Sequence, residues 1–200
     1  MIHIVRIINS IFESNTFVLS CDGSNDIWLV DVGDLQKVLD ILPTDAIVKG
    51  VLLTHTHFDH IYGINALHRA YPACRVYTAT YGKIALYDTK KNFSKYHESP
   101  FVYEGTDVTI LKDGNKIEIY PGTILTAYAT PGHCPSCLTY VVGNWIFTGD
   151  AYIPGMKVVT KLPMGDRKLA VESIERIKSL AKDKRICPGH GEVIAEKQIL

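Results

Sequence analysis

AIVKGVLLTHTHFDHIYG, residues 46–63, runs from an apolar stretch straight into three histidines and an aspartate. Residues 46–54 are β-branched and apolar enough for a buried strand, and HIYGINALHRAY, residues 60–71, returns to helical spacing. In extended backbone, residues two apart point the same way, so His55 and His57 can grip one cation together. Asp59 and His60 stand where the chain must turn, and they can aim at a second position.

The flanking sequence extends this mixed α/β pattern. Apolar runs at 2–8, 15–21 and 27–32 predict strands. Residues 34–42 carry Leu35, Val38, Leu39 and Leu42 at helical spacing, with Asp34 as a candidate cap and Pro43 just beyond. A helix is predicted over about 80–88, followed by an irregular stretch. A meander is then expected over 106–111, 115–120, 123–130, 137–143 and 145–150, with Asp113-Gly114 and Gly143-Asn144 as hairpin turns. Leu169, Ala170, Ile174, Ile177 and Ala181 share one face of a helix over 166–181, and a strand at 184–189, a His-containing loop and the stretch EVIA, residues 192–195, close the pattern. Two such mixed halves predict two sheets packed face to face with helices outside, and residues 1–200 read as a single domain.

The 200 residues carry 21 basic and 21 acidic side chains, a balance that offers no electrostatic footprint for nucleic acid or an anionic membrane. Polar residues interrupt the apolar N-terminus and no small-residue cleavage site follows, so no signal peptide is read. No run approaches the roughly 20 apolar residues of a membrane span. Five scattered cysteines suit a reducing compartment, and a cytoplasmic location is expected.

Four short stretches share one context: a strand ends, a turn begins, and a metal-binding side chain follows. They are THTHFDH after strand 46–54, TPGHCPSC with His133, FTGD with Asp150, and CPGHGE with His190. Any one of these residues alone is most simply a solvated or hydrogen-bonded loop residue. Together, His55, His57, Asp59, His60, His133, Asp150 and His190 exceed the four ligands of a structural zinc. They match two divalent metal ions with one carboxylate able to bridge; imidazole and carboxylate suit zinc, and also iron or manganese.

This set, H-x-H-x-D-H followed by T-P-G-H, T-G-D and P-G-H-G, resembles the metallo-β-lactamase superfamily over about residues 10–195. The resemblance implies a four-layer αββα sandwich with a dinuclear site at one edge of both sheets. It implies that His55, His57 and His133 hold one metal, that Asp59, His60 and His190 hold the other, and that Asp150 bridges. Asp59 and Asp150 would then serve catalysis, in a hydrolase that attacks an acyl or phosphoryl bond with a metal-bound hydroxide.

Asp150 and the stretch 162–180 look most like small glyoxalase-II-like (hydroxyacylglutathione-hydrolase-like) proteins. However, the pattern that usually follows the bridging Asp is replaced by AYIPGMKVVTK, and the chain ends ten residues after His190, without the helical domain that holds glutathione. A small-molecule thioester or related carboxylic ester is therefore the expected substrate, with a lactone of the acyl-homoserine-lactone kind as the alternative. An iron-dependent persulfide dioxygenase and a β-lactamase rank lower, and a nuclease lower still.

Several other residues invite a role. Tyr152 can face a substrate carbonyl, although a packed loop tyrosine is the simpler reading; Lys157, Lys161 and Arg167 can meet an acidic substrate, although each is more simply a solvated charge. Cys134 and Cys137 form a C-x-x-C beside His133, read first as packing and second as an oxidation-sensitive pair. Asp31, which ends a buried strand, needs hydrogen-bond partners and is read as supporting the site. Cys187 is read as core, and His3, His68 and His97 as non-ligands. Residues 80–105 are expected to shape the substrate entrance.

Overall fold

The computed structural model of the chain describes residues 1–195. IHIVRII alternates in burial, as an outer strand does, and forms β1 (Ile2–Ile8). The more apolar runs beside it form β2 (Asn15–Cys21) and β3 (Asp26–Val30), each antiparallel to its predecessor. Beyond β3 the chain changes mode. β4 (Ile47–Leu52), β5 (Arg75–Thr78) and β6 (Val108–Ile110) join in parallel, and helices α1 (Leu35–Leu39), α2 (Phe58–Ile61), α3 (Ile64–Ala70) and α4 (Thr80–Leu86) lie in the crossovers.

The second sheet takes β7 (Lys116–Tyr120), β8 (Thr123–Ala129), β9 (Leu138–Val142) and β10 (Trp145–Gly149) as an antiparallel meander. Helix α5 (Arg167–Leu180) then returns the chain so that β11 (Arg185–Pro188) pairs in parallel with β10, and β12 (Ile194–Ala195) pairs on β11. The first sheet runs β1 to β6 in chain order and the second runs β12 to β7.

Apolar faces explain why the sheets stack. Phe17, Leu19, Leu52, Tyr140 and Phe147 fill the layer between them, each at most 2% exposed. Burying a side chain of this size contributes about 1.5–3 kcal/mol. Buried polar groups in that layer are paired across it. The Tyr140 hydroxyl donates to the Leu53 carbonyl at 2.8 Å, the Trp28 indole to that of Ile119 at 2.8 Å, and the Tyr120 hydroxyl to that of Leu19 at 2.7 Å. Outside the first sheet, Val38, Ile61, Ile64 and Leu67 pack the helices onto it; outside the second, Ile177 and Ala181 seat α5 on Ile146 and Ile186. The architecture is the expected α/β, four-layer αββα sandwich.

Details depart from expectation. β5 was not foreseen. Residues 106–111 do not open the meander, because β6 pairs with β5 at the edge of the first sheet. Asp113-Gly114 is therefore a crossover between sheets rather than a hairpin, whereas Gly143-Asn144 does close one, with Val142 opposite Trp145. The helix expected over 60–71 is two helices, divided at Tyr62-Gly63. Among the described residues no helix is long and apolar enough to cross a membrane.

Direction decides where the loops gather. β3 and β4 are parallel, β10 and β11 are parallel, and β8 shares their sense because β9 is antiparallel to both of its neighbours. The C-terminal ends of β4, β8, β10 and β11 meet at one edge of the sandwich, where the Leu138 amide of one sheet donates to the Thr54 carbonyl of the other at 2.7 Å.

Candidate metal centre

The seven side chains singled out in the sequence converge at that edge in two groups. His55, His57 and His133 form one trio, and Asp59, His60 and His190 form another; within each trio the donor atoms lie within 4.8 Å of one another. In the second trio His60 Nε2 is 3.3 Å from His190 Nε2, and Asp59 Oδ2 is 3.3 Å from each. Those three lengths describe a face of a tetrahedron whose bonds are about 2.0–2.1 Å, the bond length of zinc to imidazole or carboxylate. In the first trio His133 Nε2 lies 2.9 Å from His57 Nδ1. Asp150 stands between the groups, with Oδ1 3.5 Å from His60 and Oδ2 3.5 Å from His190 and 3.7 Å from His133.

Hydrogen bonds behind the rings aim them. His133 Nδ1 donates to the Val159 carbonyl at 2.8 Å and His190 Nδ1 to that of Phe12 at 2.9 Å, which leaves both Nε2 atoms facing the centre. Asp31 Oδ2 lies 3.0 Å from His60 Nδ1 and accepts from the Thr54 hydroxyl at 2.7 Å, while Oδ1 accepts the Thr54 amide at 2.7 Å. The Thr54 hydroxyl in turn lies 3.1 Å from His55 Nδ1. With its oxygens committed to Thr54 and His60, Asp31 orients the His60 ring. It does so from a left-handed backbone (φ 56), uncommon outside glycine though tolerated by Asp. His55 Nε2 and Asp150 Oδ1 are buried with no hydrogen-bond partner among the described residues, a costly arrangement that a cation would relieve.

Glycines make room at the turns. Gly149, at φ 51, lies where a Cβ would fall 2.4 Å from the Thr54 hydroxyl, and a Cβ on Gly189 would fall 2.1 Å from Asp150 Oδ1.

The two groups differ in charge. Burial, reinforced by the neighbouring His60 and His57 charges, holds His55 well below the ordinary imidazole range, and burial also lowers His133. Burial opposes a charge on His60 and His190 as well. There Asp59 and Asp150 outweigh it, and the two pKa values rise to about 9 and about 10. Against burial, His60 and His190 hold the Asp150 carboxyl well below its ordinary range, and the same pair lowers Asp59. His55 and His133, held toward the neutral form, thus stand beside a carboxylate pair faced by protonated His60 and His190.

A cleft of about 520 Å³ opens over the donors, lined by His57, Asp59, His133, Asp150 and His190 and by a ring of apolar side chains. Phe93, Tyr96 and His97 of the 80–105 region belong to that lining, as expected of a segment shaping the entrance. Tyr152 does not face the cleft; it is buried beside Ile177 and Ile186 under α5. Lys157, Lys161 and Arg167 are solvent-exposed and outside the lining. Cys134 and Cys137 are buried with Sγ atoms 3.5 Å apart. Cys187 is core, His3 pairs with Asp22 at the surface, and His68 packs edge-on to Tyr103. The apolar lining was the part of the site that motif spacing did not reveal; the φ > 0 residues Phe12 and Phe93 give no local sequence signal of their place.

A family model described as the metallo-beta-lactamase superfamily matches residues 36–190. Curated proteins named hydroxyacylglutathione hydrolase are similar: that of Blochmanniella pennsylvanica is 29% identical over 167 residues, 83% of this chain and 57% of its own length. That of Pseudoalteromonas translucida is 27% identical over 93% of this chain and 64% of its own length. The chain therefore spans less than two thirds of either relative. Among solved structures, BLEG-1 B3 metallo-beta-lactamase superposes with a TM-score of 0.87 at 25% identity, covering 99% of this chain and 95% of that one. TTHA1623, solved in a di-iron-bound form, superposes with a TM-score of 0.81 at 24% identity over 96% and 94%, a likeness of fold.

Proposed function

The chain belongs to the metallo-beta-lactamase superfamily, and from that premise we propose a two-metal hydrolase that cleaves a thioester or related carboxylic ester. The observation that carries this reading is the position of Asp150, 3.5–3.7 Å from donors of both trios. His55, His57 and His133 would hold one divalent ion, Asp59, His60 and His190 the other, and Asp150 would span them. Zinc fits the 3.3 Å triangle, and imidazole with carboxylate also suits iron or manganese. Such ions supply Lewis acidity and lower the pKa of a water from about 15.7 toward about 7.

The chain's own groups do the rest. Asp59 and Asp150 stay ionised at neutral pH, so they accept hydrogen bonds from an attacking water and orient it. The apolar lining of the cleft would shed its water on seating an acyl group there. The oxygen of water ends on the carbonyl carbon, the C–S or C–O bond breaks, and a carboxylic acid and a thiol or alcohol leave. The names of the curated relatives favour the thioester. The apolar cleft favours a lactone, an uncharged ring ester, as the second reading. The odd and scattered cysteines support a cytoplasmic site of action.

Mass spectrometry of protein purified without added metal, followed by assays on thioesters, lactones, β-lactams and phosphodiesters, tests the proposal. About two ions per chain and thioester turnover are expected, with Asp150→Asn losing about 100-fold in kcat while remaining folded. One iron per chain with oxygen uptake on a persulfide, or full activity in Asp150→Asn, overturns it.

A further inference from the structure

The cleft over the centre is assembled from three segments distant in sequence. Phe12 comes from the β1–β2 turn, Phe93, Tyr96 and His97 from the stretch between α4 and β6, and Val159 and Leu162 from the connection between β10 and α5. Three of these side chains stand largely in water: Phe12 at 64%, Tyr96 at 69% and Val159 at 53% exposure. Single exposed apolar groups are ordinary, but apolar groups from separate segments collected round one concavity mark a ligand surface. The volume, about 520 Å³, is that of a small-molecule pocket.

The rings form two series that begin at the metal centre. Phe93 meets His57 edge-on at 4.7 Å and continues to Tyr96 at 6.2 Å. Phe58, next to Asp59, stacks on His97 at 4.0 Å and 14°, and His97 meets Phe12 at 5.6 Å. Backbone bonds join this lining to the donors: the carbonyls of Phe12 and Val159 are those that orient His190 and His133. Phe12 and Phe93 also hold left-handed backbones (φ 53 and 63), a conformation costly for bulky residues and retained chiefly at functional sites. Charge completes the picture. Among the described residues no lysine or arginine lines the cleft, and the carboxylates that do, Asp59 and Asp150, belong to the centre.

Resting on the hydrolase reading above, we propose that the acyl substrate is uncharged and ring-bearing, an arylacyl or aralkylacyl ester or thioester whose ring seats on these two aromatic series. A glutathione-like leaving group, with two carboxylates, finds no lysine or arginine among the described lining residues. Flat rings recover offset or edge contacts with Phe93, Tyr96 and Phe12 at little entropic cost.

Three matched thioesters test this on the metal-loaded protein: phenylacetyl and acetyl thioesters of a neutral thiol, and an acyl-glutathione. Phenylacetyl is expected to exceed both others by about tenfold in kcat/KM, and Tyr96→Ala and Phe12→Ala to reduce the phenylacetyl-to-acetyl ratio by about tenfold, through KM. Binding of phenylacetamide and of succinamate to the metal-free protein, followed by calorimetry, is the second readout, with phenylacetamide expected to bind at least about tenfold more tightly. Turnover that favours the glutathione thioester, or a ratio unmoved by both variants, overturns this inference and leaves the hydrolase reading intact. Preferential phenylacetamide binding without hydrolysis of any thioester, ester or lactone removes the hydrolase reading and leaves the aromatic seat standing.

Discussion

Asp31 is the residue through which the centre answers to the strand behind it. It accepts from Thr54 twice and faces His60 Nδ1. Asn tolerates the same left-handed backbone but offers one acceptor atom, so Asp31→Asn keeps the turn and loosens the ring. Affinity for one metal should fall about 10–100-fold with the thermal midpoint nearly unchanged; equal metal affinity in calorimetry would remove Asp31 from the account. His60 and His190, at about 9 and about 10, make loading a competition with protons. Because both values are raised, their protons stabilise the metal-free fold fully below the ordinary value of about 6.5, and that stability is lost as pH rises through 9 and 10. Metal binding displaces the same protons. Calorimetry at pH 7.5 in buffers of differing ionisation enthalpy should count about two protons released, and apparent affinity should climb as pH rises.

At the scale of elements, α5 is the clearest case of sequence becoming structure. Asp166 caps it, accepting from the Lys168 and Leu169 amides at 2.8 and 3.0 Å, and its own amide donates to the Gly132 carbonyl beside His133. Asp166→Ala should cost about 1 kcal/mol, read as a lower denaturant midpoint at unchanged slope. The helix was legible because its apolar positions repeat over fourteen residues. β5 was not: four residues, three of them buried within a parallel sheet, are too few to show a period. The Asp113-Gly114 turn misled because a turn signal is local, whereas the sheet that the next strand joins is decided by distant apolar faces. The same division holds at the site. The histidines and aspartates were readable because each follows the end of a strand, four of them crowded into THTHFDH and the other three just after a Gly. The cleft lining was not, since Phe12, Phe93 and Val159 meet only through packing.

For the whole molecule, cations held as proposed by groups from both sheets would bind the folded chain alone. At about 1,000-fold over Kd, one such ion adds about 4 kcal/mol. For a chain of this size each kcal/mol is worth about 2–4 °C, so exhaustive chelation should lower the thermal midpoint by roughly 10 °C; a midpoint indifferent to chelator would mean that the two sheets share no ion.

Among the described residues the polypeptide passes between the sheets once, at exposed residues 112–115. Each trio of donors takes two members from before that passage and one from after it. A break between Lys112 and Asp113 would therefore yield two fragments, neither owning a complete set of ligands for either ion. Co-expressed, they should reassociate through the apolar layer and co-purify in zinc, then part when the zinc is stripped. The split halves would behave as a metal-gated heterodimer, and pairing that ignores chelator would show that grease alone suffices.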